Sequence, residues 1–277
     1  LTELAKADES IVAVSAAMID GTGLEGFKNE FPGRLFDVGI AEGHAVTFSA
    51  GMAKAGLKPF VAIYSTFLQR AYDQMIQDIC LQDLPVVLCL DRAGIVGADG
   101  ETHHGILDLS YLSSMPNMTI MAPKDGHELE EMMEIAAHME HPCAIRYPRG
   151  TALAINDNPV EFGHSEILHG DHAQKSDCTI WAIGAMVDSA LQAARLLEEE
   201  GIAVNVYNAR FLKPVDEEAM VASAAKTSLI VTVEDNVLSG GLGETADAIL
   251  INESVKVINL SWPDKFIEHG TQAQLYD

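Results

Sequence analysis

Short apolar runs alternate with longer amphipathic stretches along this chain, the pattern of βα units wound around a parallel sheet. Runs at 11–17, 35–38, 59–64, 85–91, 119–122 and 144–147 read as strands, and segments near 41–55, 67–82 and 125–139 as helices. The third helix carries its own start signal, because Asp125 follows Pro123-Lys124 and Glu128 stands three residues on, the spacing of a capping box. Residues 92–114 break the pattern with four glycines, two histidines and no clear period, which predicts a long loop. Loops of that length inside compact domains are usually functional or disordered. From Arg149-Gly150 to Asn158-Pro159 the alternation lapses, and it then resumes. Strands are expected at 178–183, 203–207, 229–233 and 255–259, with helices at 186–200, 214–225 and 243–251. The prediction is α/β: two domains, 1–150 and 151–277, each with a mostly parallel sheet flanked by helices, and each of ordinary size for one domain.

Composition changes this picture in one respect. Of 277 residues 48% are hydrophobic and 21% charged, as expected for a chain with a real core. However, 17 basic against 41 acidic residues leave a formal charge of −24. That disfavours nonspecific binding to nucleic acid or to an anionic membrane surface. It does not disfavour a small anionic substrate, since a few buried arginines reverse the local potential, so the places where arginines fall are informative. No run approaches the roughly 18 apolar residues of a membrane helix. The polar, helix-like start carries no signal peptide, and its lack of Met reads as a fragment. The four cysteines, Cys80, Cys89, Cys143 and Cys178, are scattered in or beside apolar stretches, so core thiols in a reducing cytoplasm (or a plastid stroma) are expected.

Four segments carry candidate chemistry, each at the end of an expected strand, where ligands bind in open α/β sheets. In Asp37-Val38-Gly39-Ile40-Ala41-Glu42, a helix opens near Ala41 and places Glu42 in its first turn. There Glu42 is either a functional acid or a complement to the helix dipole. In Tyr64-Ser65-Thr66-Phe67-Leu68-Gln69-Arg70, spacing of three puts Phe67 and Arg70 on one helical face. Tyr64, Phe67 and Arg70 suit stacking of a flat heterocycle, and core packing is the competing reading for Phe67. The run from Asp91-Arg92 through His103-His104-Gly105 offers a guanidinium fork for phosphate in Arg92, a hydroxyl acceptor in Asp99, and a proton carrier in His103. Its His-His pair also raises a metal site, although no third ligand stands at a convincing spacing. Finally, Arg146-Tyr147-Pro148-Arg149 brings two arginines to a strand end, either as a second anion contact or as surface ion pairs. In the second half His164, His169 and His172 read as solvent-facing loop residues, and no catalytic constellation is evident.

These four segments resemble the thiamine-diphosphate-dependent transketolase superfamily, and within it the 1-deoxy-D-xylulose-5-phosphate synthase family. The resemblance is carried by Tyr-Ser-Thr-Phe-Leu-Gln-Arg-Ala-Tyr-Asp-Gln at 64–74 and by Asp-Arg-Ala-Gly-Ile-Val-Gly-Ala-Asp-Gly at 91–100. Asn-Ala-Arg-Phe-Leu-Lys-Pro-Val-Asp at 208–216 and Glu234-Asp235-Asn236 with the later Gly240-Gly241 extend it over practically the whole chain. The resemblance implies a pyrimidine-binding domain followed by a transketolase C-terminal domain. It implies that Glu42 hydrogen-bonds the cofactor's aminopyrimidine, with Phe67 stacked on that ring and Arg70 beside it. It also implies that Tyr64, Arg92 and Arg149 bind the phosphate of D-glyceraldehyde 3-phosphate near Asp99, with His103 transferring protons. The implied reaction condenses pyruvate with that aldehyde and releases carbon dioxide, on thiamine diphosphate and Mg²⁺, in a homodimer.

Gly43 and His104 depart from the family, which usually has Gln at both positions. The Gly-Asp-Gly motif through which the family grips diphosphate and magnesium does not occur, Gly170-Asp171-His172 being the nearest run. The diphosphate and metal are therefore expected on a preceding domain, in the same or a separate chain, and no metal ligand is expected here. The competing readings are a split transketolase C-terminal section, a 2-oxoacid dehydrogenase β-type subunit, and a non-catalytic assembly subunit.

Overall fold

The structure is a computed structural model and describes residues 1–171 and 173–276. Its twelve strands are β1 (Ile11–Ser15), β2 (Leu35–Asp37), β3 (Lys58–Tyr64), β4 (Val87–Asp91), β5 (Thr119–Met121), β6 (Cys143–Tyr147), β7 (Glu166–His169), β8 (Cys178–Ala182), β9 (Val204–Asn208), β10 (Phe211–Lys213), β11 (Leu229–Val237) and β12 (Lys256–Trp262). They form a seven-stranded sheet in the order β10-β5-β6-β4-β3-β1-β2 and a five-stranded sheet in the order β12-β11-β8-β9-β7. Pairings are parallel except at β10 on β5 and β7 on β9, so each sheet has one antiparallel edge.

The central strands are buried on both faces, as parallel strands flanked by helices must be, and this is why they read as continuous apolar runs. Alternate residues divide between two cores. Val12 and Val14 of β1, Val61 and Ile63 of β3, and Leu88 and Leu90 of β4 point to one side. Ile11 and Ala13, Phe60, and Val87 and Cys89 point to the other. The first core also takes in Trp181, Tyr207, Leu212 and Leu242, so both halves of the chain bury one apolar body.

β10, although it belongs to the second half by sequence, completes the first sheet, with Phe211 paired to Met121. Beside it lies an ionic cluster with almost no exposure. Lys124 Nζ sits 2.8 Å from Glu128 Oε1 and 3.1 Å from Glu166 Oε2. Arg210 Nε lies 2.7 Å from Glu128 Oε1, and its Nη2 lies 3.2 Å from Glu166 Oε2. Asn208 donates to Glu128 at 2.8 Å. With Asp125 Oδ2 3.7 Å from Lys124 Nζ, two cations meet three carboxylates across the junction of the halves.

The structure departs from the sequence expectations at several points. The helix expected at 67–82 starts at Ser65 and runs to Cys80 through 3₁₀, α and π segments in turn. The loop expected over 92–114 ends in a helix, Asp108–Ser113, whose single turns of apolar spacing are too short to register as a period. The helices Glu25–Glu30 and Gln272–Tyr276 and the strands β7 and β10 were not foreseen, all being six residues or fewer. His169 lies on β7, 2.9 Å from Glu198, and is no free loop residue; His164 is exposed, and His172 falls outside the described residues. The Asp125 cap is present, accepting from Glu128 N at 2.9 Å. All four cysteines are buried free thiols, and burial pushes Cys89 and Cys143 up to about 12. No described helix is long and apolar enough to cross a membrane.

Removing one partner from a buried ionic cluster leaves charge uncompensated, which costs about 3–5 kcal/mol. Glu128→Ala is therefore expected to lower the unfolding free energy of the chain, read from urea denaturation, by that order, and an unchanged value would contradict the role assigned to the cluster.

Candidate active site

Glu42 is the first residue of helix Glu42–Lys54 and is only 4% exposed. The turn before it depends on Gly39, whose φ of 71° falls in the left-handed region that favours glycine. Asp37 Oδ1 fixes the turn by accepting from Gly39 N at 3.0 Å and Ala17 N at 2.8 Å. Oε1 of Glu42 lies 2.7 Å from Arg70 Nη1. The Arg70 guanidinium in turn stands 5.0 Å from the centroid of the Phe67 ring. Phe67 meets His103 edge-on at 5.2 Å and Tyr64 at 5.5 Å. Over Tyr64, at 3.6 Å, lies the guanidinium of Arg92.

A continuous row of contacts, Glu42–Arg70–Phe67–Tyr64–Arg92, thus joins the ends of β2, β3 and β4. The spacing of three predicted for Phe67 and Arg70 holds even though their helical run is irregular.

Arg92 itself has a φ of 61°, a strained conformation for a non-glycine residue that costs of order 1–3 kcal/mol and clusters at functional sites. Its Nη1 donates to the Gly21 carbonyl at 3.0 Å and lies 3.3 Å from Asp91 Oδ2. Burial pushes the Asp91 carboxyl up, and the neighbouring guanidinium opposes that shift. Gly21 was not foreseen, although a Cβ there would fall 1.8 Å from the Tyr64 hydroxyl.

Arg149 Nη1 pairs with Asp99 Oδ2 at 2.7 Å on the exposed side of the site. Arg92, Asp91 and Arg149 share a cavity of about 690 Å³ with Lys124, Met186 and Tyr276. Glu42 and Phe67 do not line it.

The two neighbouring histidines part company. The Nδ1 atom of His103 lies 2.9 Å from the Thr102 hydroxyl, leaving Nε2 without a hydrogen-bond partner among the described residues. His104 is buried, accepts at Nδ1 from Val96 N at 3.1 Å and has Nε2 3.3 Å from the Glu268 carbonyl. It therefore pins the loop.

Arg146, considered as an anion contact, is instead locked away. It is 3% exposed, with Nε 3.0 Å from Asp108 Oδ1, and Nη2 donates to the Asp235 carbonyl at 3.1 Å. Burial pushes Asp108 up against the pull of that guanidinium. The other departure from the family pattern, Gly43, faces Gln74, whose side chain a Cβ would meet at 3.3 Å.

The residues present fit an aminopyrimidine. Arg70 already places a flat, N–H-donating cation against the Phe67 ring and on the Glu42 carboxylate, which are the two contacts such a ring would make.

Transketolase, pyrimidine binding domain, matches residues 1–153, and Transketolase, C-terminal domain, matches residues 170–277. The 1-deoxy-D-xylulose-5-phosphate synthase 1 of Geobacter sulfurreducens is 52% identical over 99% of this chain, which covers 44% of that protein. The 1-deoxy-D-xylulose-5-phosphate synthase of Heliobacterium modesticaldum is 52% identical over 99% of the chain, covering 43% of its own length. This chain therefore spans less than half the length of these curated relatives. A solved split gene transketolase, described as an inactive beta4 tetramer, superposes with a TM-score of 0.87 at 33% identity, over 96% of this chain and 87% of that one.

Gly94 has a φ of 73°, and a Cβ there would fall 1.7 Å from Asp235 Oδ2. Left-handed backbone alone costs alanine roughly 1–2 kcal/mol. Gly94→Ala should therefore lower the thermal midpoint of the chain by several degrees, whereas an unaltered midpoint would mean that the loop does not hold this conformation.

Proposed function

The chain belongs to the transketolase family, carrying its pyrimidine-binding and C-terminal domains, and from that premise we propose that it is the pyrimidine- and acceptor-binding section of a 1-deoxy-D-xylulose-5-phosphate synthase. On this reading residues 1–150 hold the pyrimidine end of thiamine diphosphate and the substrates, and residues 151–277 support them. The reaction is transfer of a two-carbon unit from pyruvate, with loss of carbon dioxide, to D-glyceraldehyde 3-phosphate. The observation that carries the proposal is the row Glu42–Arg70–Phe67–Tyr64–Arg92, which sets an acid and a stacking ring beside a phosphate fork.

When bound, thiamine diphosphate supplies the nucleophilic carbon and the electron sink that the protein lacks. This chain's own groups bind, orient and move protons. The Glu42 carboxyl, buried at a helix start, holds a proton on the ring nitrogen of the pyrimidine, with Arg70 beside it. Phe67 supplies the flat apolar face. Arg92 and Arg149 clamp the phosphate of the acceptor as planar forks, supported by the Tyr64 hydroxyl. Asp99 accepts from an acceptor hydroxyl. His103, with Nε2 unengaged, moves a proton at the acceptor's aldehyde oxygen.

Diphosphate and Mg²⁺ call for a further section. These 277 residues contain no Gly-Asp-Gly, and the curated relatives are more than twice as long. That section is either continuous with this one or a separate chain, as the split gene transketolase illustrates. Residence in the cytoplasm and assembly as a homodimer complete the reading. A split transketolase is the second reading, favoured by that same structure's similar extent, but the identity of 33% there against 52% to the synthase favours the first.

In an enzyme completed with a diphosphate-binding section, Glu42→Ala should lower kcat by about 10²–10⁴-fold, the usual worth of a positioned acid, without loss of fold by circular dichroism. Arg149→Ala should instead raise the KM for glyceraldehyde 3-phosphate about tenfold or more with a smaller effect on kcat. Retained turnover in the first variant would remove Glu42 from its role, and a preference for ribose 5-phosphate as acceptor would favour the second reading.

A further inference from the structure

We infer that Asp235, in the second half of the chain, is a positioning residue that holds the loop 93–105 in register with the acceptor site. The inference rests on the proposed function for what the loop does, but the anchor itself stands on geometry alone.

The loop is an excursion with a closed neck. Gly94 N donates to Gly105 O at 2.8 Å, and Gly105 N donates back to Gly94 O at 2.7 Å. Arg92 stands just before the neck, and Asp99 and His103 lie within the excursion. The fixed point outside the loop is the Asp235 carboxylate, 1% exposed on β11. Its Oδ2 accepts from Ile95 N at 3.1 Å and from the Tyr276 hydroxyl at 2.8 Å, and its Oδ1 accepts from Trp262 Nε1 at 2.5 Å.

Three donors from three separate segments converge on one carboxylate, and only one of them belongs to the loop. The fit is close, since a Cβ on Gly94 would overlap Oδ2. The main chain is engaged as well: the Asp235 carbonyl accepts from Arg146 Nη2, and Val237 N donates to Ile106 O at 3.0 Å.

The C-terminal segment completes the clamp. Gln272 Nε2 donates to the Ile95 carbonyl at 2.8 Å, and Ile267 packs on Ile95 and Ile106. Tyr276 touches both sides of the arrangement, because it bonds Asp235 and also lines the cavity that holds Arg92 and Arg149.

Asp235 does not line that cavity and touches none of Glu42, Phe67 or Arg70. Its loss should therefore disturb acceptor binding and leave the cofactor face alone, a separation that a purely structural junction between the two halves would not give.

The test uses two preparations. In the completed enzyme, Asp235→Ala should raise the KM for glyceraldehyde 3-phosphate by about tenfold, with thiamine diphosphate affinity held within about twofold. Asp235→Asn keeps one oxygen for Ile95 N and Tyr276 but turns an N–H₂ donor toward Trp262 Nε1, so it should recover part of that loss, and Tyr276→Phe should fall between the alanine variant and the unaltered enzyme. These two milder variants carry the test if the alanine variant does not fold. In the chain itself, amide exchange at 94–105 should quicken by about tenfold in Asp235→Ala while exchange in helix Glu42–Lys54 stays as it was.

An unchanged KM overturns the positioning role. So does a parallel loss of cofactor affinity, acceptor KM and thermal midpoint in all three variants. Unchanged exchange at 94–105 overturns the anchor whatever the activity. If the completed enzyme makes no product from these substrates, the functional reading fails and the exchange data still decide the anchor.

Discussion

Arg146 is the residue on which the arrangement of the site turns. Its guanidinium, buried at the end of β6, reaches Asp108 at the start of one helix, the Gly105 carbonyl at the loop neck and the Asp235 carbonyl in the second sheet. Asp108 in turn accepts from the Ser65 hydroxyl at 3.0 Å, and Ser65 opens the helical run that carries Phe67 and Arg70. One ion pair therefore fixes the angle of the stacking ring, the neck of the glycine loop and the approach of the second half. A buried pair of this kind is weak evidence for stability, because taking both charges out of water costs about as much as their attraction returns. What it contributes is direction: a planar guanidinium fork addresses all three segments at once.

This constraint explains why the second half is more than packing. β10 extends the first sheet, Trp181 and Tyr207 enter the first core, and Asp235 meets the loop at Ile95. The cavity beside Arg92 and Arg149 has walls from both halves, including Met186 and Tyr276. In a chain of formal charge −24, the cations at this junction (Lys124, Arg146, Arg210, Arg92 and Arg149) are concentrated where carboxylates and a phosphate would need them. The first three are committed to internal carboxylates. Arg92 and Arg149 are the arginines that themselves line the cavity, which is why they remain the candidates for an anionic acceptor.

Much of this was legible in the sequence because parallel strands buried on both faces announce themselves as apolar runs, and their ends locate the site. Glu42, Phe67, Arg70, Tyr64 and Arg92 do meet in space, as strand-end placement and a spacing of three implied. What local pattern could not carry was pairing at long range. Arg146 and Arg149 look alike in sequence, three residues apart at one strand end, and only the position of Asp108 makes the first internal and the second exposed. His103 and His104 likewise part because Val96 and Glu268 claim the second of them. β10 is three residues long and takes its partner from ninety residues upstream, so nothing in its neighbourhood marks it as an edge of the first sheet. Asp235 sits in the run Glu234-Asp235-Asn236, yet its three donors come from 140 residues upstream and from 27 and 41 residues downstream.

The central claim is that this chain presents the pyrimidine and acceptor faces of a thiamine-diphosphate site whose diphosphate grip is supplied by another section. Calorimetric titration of thiamine diphosphate with Mg²⁺ tests it most directly, into the chain alone and into the chain joined to a diphosphate-binding section. The account predicts saturable binding only in the joined protein. Equally tight binding by the chain alone, or none in either preparation, would contradict it.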